Sequence, residues 1–214
     1  MDTVFNNYLI FTIRNISSFI RWHCLERINP LKNKKILVVG LSKTGTTSLH
    51  GAFNVLGIES IHYPQYYQLV GHELEFKWHW RFDKSRAFSD IPVIAFLDEL
   101  LKKYPESCVI YTSREKTTWL ESCRKHFELP AINPKGNALR LKVYGCPVFD
   151  FEKFSNVYDE HDQMIRERFK DHSRFIEIKL EQKDKWSELC KLLGVSIPSV
   201  NYPHANKYQT KSIR

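Results

Sequence analysis

Two short, unbroken apolar runs organise this chain: Ile36-Leu-Val-Val-Gly40 and Cys108-Val-Ile-Tyr-Thr112. A half-exposed strand alternates apolar and polar residues, whereas a strand covered on both faces does not. Both runs therefore predict buried parallel strands. Between and after them the pattern changes period. Leu49, Ala52, Phe53 and Leu56 share one helical face from Thr46 to Leu56, and Gly57 stops it. Ile58 to His62 and Arg86 to Ser89 read as further strands, and Pro92 to Tyr104 as a helix opened by proline. Glu115 to Phe127 and Asp150 to Lys170 read as helices. Arg174 to Leu180 reads as a strand, and Asp184 to Leu193 as a helix stopped by Gly194. Two segments carry weaker patterns. Pro64 to Phe82, aromatic and mixed in charge, is predicted to be helical. Leu129 to Val148, with Pro130, Pro134, Gly136 and Pro147, is predicted to be a long loop. The tail from Ile197 reads as irregular. Strand and helix alternate throughout, which predicts an α/β fold with a parallel sheet flanked by helices on both faces.

The first 34 residues stand apart as an N-terminal helix and linker preceding a domain over residues 35–214. Phe5, Leu9, Ile13, Ile16 and Ile20 recur at helical spacing, so a packed amphipathic helix is expected over residues 4–28, with a helix lying on a membrane surface as its alternative. Asn6, Asn7, Arg14, Asn15 and Arg21 interrupt the stretch before it reaches the length of a membrane span. No signal-peptide pattern is present, and a cytoplasmic location is expected.

Composition narrows the partners. The chain has 214 residues, 32 Lys and Arg against 24 Asp and Glu, and a net charge of +8. Such an excess suits an anionic partner. The basic residues form no stripe interleaved with aromatics, so a nucleic-acid-binding protein ranks last among the readings. Five scattered cysteines without a C-x-x-C pair argue against disulfides or structural zinc, and Cys108 and Cys190 read as core.

The chemistry concentrates in Gly40-Leu-Ser-Lys-Thr-Gly-Thr-Thr-Ser48, which joins a buried strand to an amphipathic helix. Backbone N–H groups at such a junction point at a bound anion. Gly40 and Gly45 have the spacing of the two P-loop glycines. The nucleotide-hydrolysing version places Lys directly after the second glycine, but here Thr46 stands there and the lysine is Lys43, inside the loop. Neither apolar strand ends in an Asp that would help hold Mg²⁺. The loop therefore predicts phosphate binding without an ATP- or GTP-hydrolysing engine, and a small-molecule kinase of the P-loop type is the runner-up.

Lys43-Thr-Gly-Thr-Thr-Ser48 resembles the 5′-phosphosulfate loop of sulfotransferases that use 3′-phosphoadenosine-5′-phosphosulfate (PAPS). Ser113-Arg-Glu-Lys-Thr-Thr-Trp-Leu-Glu-Ser122 agrees. That family keeps an Arg at the end of this strand and a Ser eight residues on, both holding the 3′-phosphate, and Arg114 and Ser122 have that spacing. Tyr202-Pro-His-Ala-Asn206 resembles the C-terminal motif of one small branch. The resemblance implies that Ser42, Lys43, Thr44, Gly45, Thr46, Thr47, Ser48, Arg114 and Ser122 bind PAPS, with no metal ion, and that Lys43 meets charge on the leaving phosphate. Asp90, in Phe88-Ser-Asp-Ile-Pro92, stands where cytosolic members keep their proton-accepting His. It reads as the base or as a helix cap, and His62 is the rival base. Those members stack adenine on a Trp where Ser48 stands and carry a basic C-terminal loop; neither is present here. Trp119 reads as core, with stacking as its alternative, and Lys207 and Lys211 as substitutes for the basic loop. The acceptor is expected to be a small molecule, bound by residues 63–82 and 129–148.

Overall fold

A computed structural model of the chain describes residues 34–205. The helix expected over residues 4–28, Cys24, Lys207 and Lys211 lie outside the described residues. The central sheet has five strands in the order β2-β5-β1-β6-β7. They are β1 (Ile36–Val38), β2 (Ser60–His62), β5 (Ala87–Ser89), β6 (Cys108–Ser113) and β7 (Phe175–Lys179). All four pairings are parallel, with Leu37 beside Phe88 on one side and Val109 on the other. This is the expected α/β sheet.

The unbroken apolar runs follow from its position between two layers. Ile36, Val38, Ala87, Cys108 and Ile110 point to one face, where they are buried under α1 (Thr46–Val55) and α8 (Lys185–Leu193). Leu37, Val39, Phe88, Val109 and Tyr111 point to the other. That second face is covered by α3 (Ile91–Ala95), α4 (Leu97–Lys103), α5 (Lys116–His126), α6 (Pro134–Tyr144) and α7 (Phe151–Phe169). Successive residues face opposite layers, so a strand covered on both sides needs apolar residues at every position. Cys108 and Cys190 are buried in the first layer, and the four described cysteines are free thiols.

Three segments differ from the sequence expectation. Residues 64–82 are not helical but form an antiparallel hairpin, β3 (Tyr67–Val70) and β4 (Glu73–Phe76), followed by the short α2 (Arg81–Lys84). Glu73-Leu-Glu-Phe76 alternates exposed and half-buried residues with period two, and Gly71 turns the chain at φ 60°. Residues 129–148 contain α6 rather than one long loop. Pro134 occupies its first turn, Asn133 caps it by accepting from the Gly136 N–H at 2.7 Å, and Gly145 closes it at φ 69°. These breakers are helix punctuation. The helix expected from Pro92 to Tyr104 is interrupted at Phe96, whose φ of −132° leaves the helical region, giving α3 and α4.

Beneath the first apolar strand, His161 of α7 is buried and its Nε2–H donates to the Val39 carbonyl at 2.7 Å. Burial pushes its pKa from 6.5 down to about 4. The unfolded chain therefore binds this proton more readily than the folded one. Stability is intact above pH 6.5 and falls as the pH drops toward 4. Between pH 7 and pH 5 the loss from this group is about 2 kcal/mol. His161→Gln keeps a donor but cannot titrate. Denaturant unfolding at the two pH values should show a loss smaller by about that amount in the variant, and equal losses would remove His161 as the cause.

Candidate active site

The loops at the carboxyl ends of the parallel strands meet where the strand order reverses, the usual place for a ligand in such a sheet. There they enclose a cleft of about 550 Å³. Ser42, Lys43, Gly45, Thr46, Thr47 and Ser48 line it together with His62, Asp90, Arg114 and Ser122.

Two glycines shape the loop after β1. A Cβ on Gly40 would lie 1.8 Å from Thr112 Oγ1 and 2.4 Å from its carbonyl, so no side chain fits between β1 and β6. Gly45 precedes α1 at φ 100°, a conformation open to glycine. Lys43 takes a left-handed φ of 72°. The loop is then fixed from below. Tyr144 Oη accepts from the Ser42 N–H at 3.1 Å, and Trp119 Nε1–H donates to the Ser42 carbonyl at 2.8 Å.

The start of α1 differs from those of the other long helices. Side chains of Glu115, Asn133, Asp150 and Asp184 cap α5, α6, α7 and α8. No side chain caps α1, and its first turn carries no acid. Its leading N–H groups and the positive end of its dipole thus face the cleft uncompensated. Beside them, Lys43 pairs with no carboxylate among the described residues. Neither does Arg114, whose Nε–H donates to Thr118 Oγ1 at 3.2 Å and whose Nη1–H donates to the Lys43 carbonyl at 3.3 Å. Cationic donors without anionic partners around one cavity fit a ligand with more than one phosphate-like group.

Against the same loop lies a carboxylate–imidazole pair. Asp90 Oδ1 accepts from Ser42 Oγ–H at 2.5 Å and from the Ile91 N–H at 2.7 Å. Its Oδ2 lies 3.3 Å from His62 Nε2. His62 Nδ1 is 3.1 Å from Ser89 Oγ, and its Nε2 is 3.3 Å from Thr47 Oγ1. Asp90 has φ 80° and ψ 178°, a region almost reserved for glycine and costly by about 1–3 kcal/mol. Among the described residues the non-glycine positive-φ positions are Lys43, Tyr63 and Asp90, all in or next to this cleft. His50 stacks on His62 at 5.9 Å; desolvation first, then the charge of His62, lowers the pKa of His50.

A sulfotransferase domain model matches residues 35–210. The chain belongs to the sulfotransferase family. A relative from Aspergillus versicolor, the Ava biosynthesis cluster protein M, is 27% identical over 220 residues, covering 79% of this chain and 80% of its own.

Within this sulfotransferase, ten of the residues singled out by sequence line one cleft. Thr44 does not: its buried hydroxyl donates to the Leu41 carbonyl at 2.6 Å and meets Thr112 Oγ1 at 2.8 Å, holding the loop to β6. Trp119 is fully buried under the loop, a core residue whose ring is not part of the cleft lining. Trp78 lies in an aromatic cluster with Tyr66, Phe82 and Phe88, outside the cleft lining. The sequence reading missed Thr118, Glu121, Lys125 and His126 of α5, Leu180 beyond β7, and His204 and Ala205 of the tail. Glu121, Lys125 and Ser122 share a helical face in sequence, which is the signal that placed only Ser122. Desolvation, then the charges of Lys43 and Arg140, lowers the pKa of His126. Among the described residues no cluster of metal-ligating side chains occurs, and no helix is long and apolar enough to cross a membrane.

Proposed function

We propose that this sulfotransferase moves a sulfuryl group from PAPS to a hydroxyl or amine of a small-molecule acceptor. The observation that carries the reading is the uncapped, acid-free start of α1 beside two cations that have no carboxylate partner among the described residues. When bound, the donor supplies an activated sulfur attached through oxygen to a phosphate. The N–H groups of α1 with Thr46, Thr47 and Ser48 hold the 5′-phosphate. Arg114 and Ser122 hold the 3′-phosphate. Lys43 stands over the bridging oxygen, where negative charge grows as its bond to sulfur breaks. Asp90 takes the acceptor's proton as the new bond to sulfur forms. With Oδ1 occupied by Ser42 and Ile91, Oδ2 is the oxygen that receives it, and His62 orients that oxygen. Asp90 is thus cap and base at once, and the two rival bases are one pair. Lys43 and the helix terminus carry the electrostatics, so the scheme requires no metal ion. The name of the Aspergillus relative places that protein in a biosynthesis cluster, which agrees with a small-molecule acceptor.

The role of Arg114 is separable. Charge-assisted hydrogen bonds contribute about 1.5–3 kcal/mol. Arg114→Ala should therefore weaken 3′,5′-adenosine bisphosphate by roughly one to two decades in calorimetric titration while hardly changing AMP. Equal losses for both nucleotides would contradict a 3′-phosphate contact.

A further inference from the structure

Between α8 and Ala205 the chain has no regular structure, yet the residues around His204 are pinned from both sides. Before it, Tyr202 packs edge-on against Trp186 at 5.0 Å between ring centres, and Trp186 Nε1–H donates to the Val200 carbonyl at 2.8 Å. Pro203 lies against α1 at Gly51, where a Cβ would come within 3.0 Å of the proline Cβ. Glycine inside a helix costs about 1 kcal/mol relative to alanine, and here it leaves room for the tail. After it, the Ala205 N–H donates to Ser48 Oγ at 3.1 Å. His204 itself is exposed and lines the cleft with Ala205, beside Ser48 and on the same cavity as Leu180. The two other imidazoles of the lining have different surroundings: His62 is held by Asp90 and Ser89, and His126 is within electrostatic reach of Lys43 and Asp90.

We infer that the tail is the nucleoside wall of the cleft and that His204 stacks on the purine base of the donor. The inference rests on the nucleotide reading proposed above. Phosphate groups are met by N–H donors and cations, but a purine needs a flat or apolar surface, and the tail presents one at the rim next to the helix that would hold the 5′-phosphate. Ser48 serves this wall as well, since its hydroxyl accepts from the tail.

The test is calorimetric titration of the full chain with 3′,5′-adenosine bisphosphate and with abasic ribose 3,5-bisphosphate. Stacking of a base on an aromatic ring is worth roughly ten- to a hundredfold in affinity. His204→Ala should lose that factor for the nucleotide and change the abasic compound little. His204→Phe, which keeps a flat ring, should restore the nucleotide to within about threefold of the unaltered chain. Gly51→Leu, outside the cleft, should push Pro203 away and reproduce the selective loss. If the unaltered chain binds no bisphosphate nucleotide, the nucleotide reading falls and this inference with it. If it binds and His204→Ala binds equally well, the tail assignment alone is overturned, and the same holds if both compounds weaken together.

Discussion

Lys43→Ala should lower sulfuryl transfer by about a hundred- to a thousandfold while leaving 3′,5′-adenosine bisphosphate bound within a few-fold. Removing one preorganised donor from a developing oxyanion has a cost of about that size. The selectivity follows from the loop. Lys43 sits at φ 72° within it, held through its carbonyl by Arg114, while the α1 terminus lies next to it and keeps its own N–H donors. A ground state with a complete phosphate cradle thus survives, and the state in which charge collects on the bridging oxygen does not. Rates measured at saturating donor, with affinity measured separately, distinguish the two. Near-normal turnover in the variant would remove Lys43 from the chemistry.

Asp90→Asn is the second large effect, a loss of about 10²–10⁴-fold in turnover on a hydroxyl acceptor with nucleotide affinity unchanged. Asparagine retains an oxygen for the Ser42 hydroxyl and the Ile91 N–H, and so retains the cap, but it takes no proton at neutral pH. Asp90→Ala should be as inactive and also less stable by about 1 kcal/mol, because it removes the cap at a backbone position with φ 80°. His62→Gln should lower turnover less than Asp90→Asn, since His62 orients Oδ2 without receiving the acceptor's proton first. A fully active Asp90→Asn enzyme would transfer the base assignment to His62.

Much of this was legible in the chain, and what was not has physical causes. The runs at Ile36 and Cys108 revealed buried parallel strands because covering both faces forces apolar residues at every position. The loop after β1, Arg114 and Asp90 were legible because each directly follows a strand and the ends of parallel strands converge, whereas Ser122, inside α5, was legible through its eight-residue spacing from Arg114. The hairpin at Tyr67–Phe76 was masked by surrounding aromatics: Tyr66 and Tyr67 are both buried, so the alternation survives only in the second strand. In α6, Pro134 and Gly136 looked like loop residues, yet Pro134 opens a helix that Gly145 closes. Losing that helix meant losing Tyr144, whose hydroxyl holds the Ser42 N–H. The tail carries no periodicity at all. Its partners Ser48, Gly51 and Trp186 are remote in sequence, so only the folded chain brings His204 to the cleft.

A cleft that takes a donor with both a 5′- and a 3′-phosphate is tested most directly by calorimetric titration of the unaltered chain with 3′,5′-adenosine bisphosphate, AMP and ATP with Mg²⁺. The bisphosphate should bind tightest, AMP roughly one to two decades more weakly through loss of the Arg114 contact, and removing Mg²⁺ should leave bisphosphate binding unchanged. Preference for ATP with Mg²⁺, or equal affinity for AMP and the bisphosphate, would contradict that donor assignment.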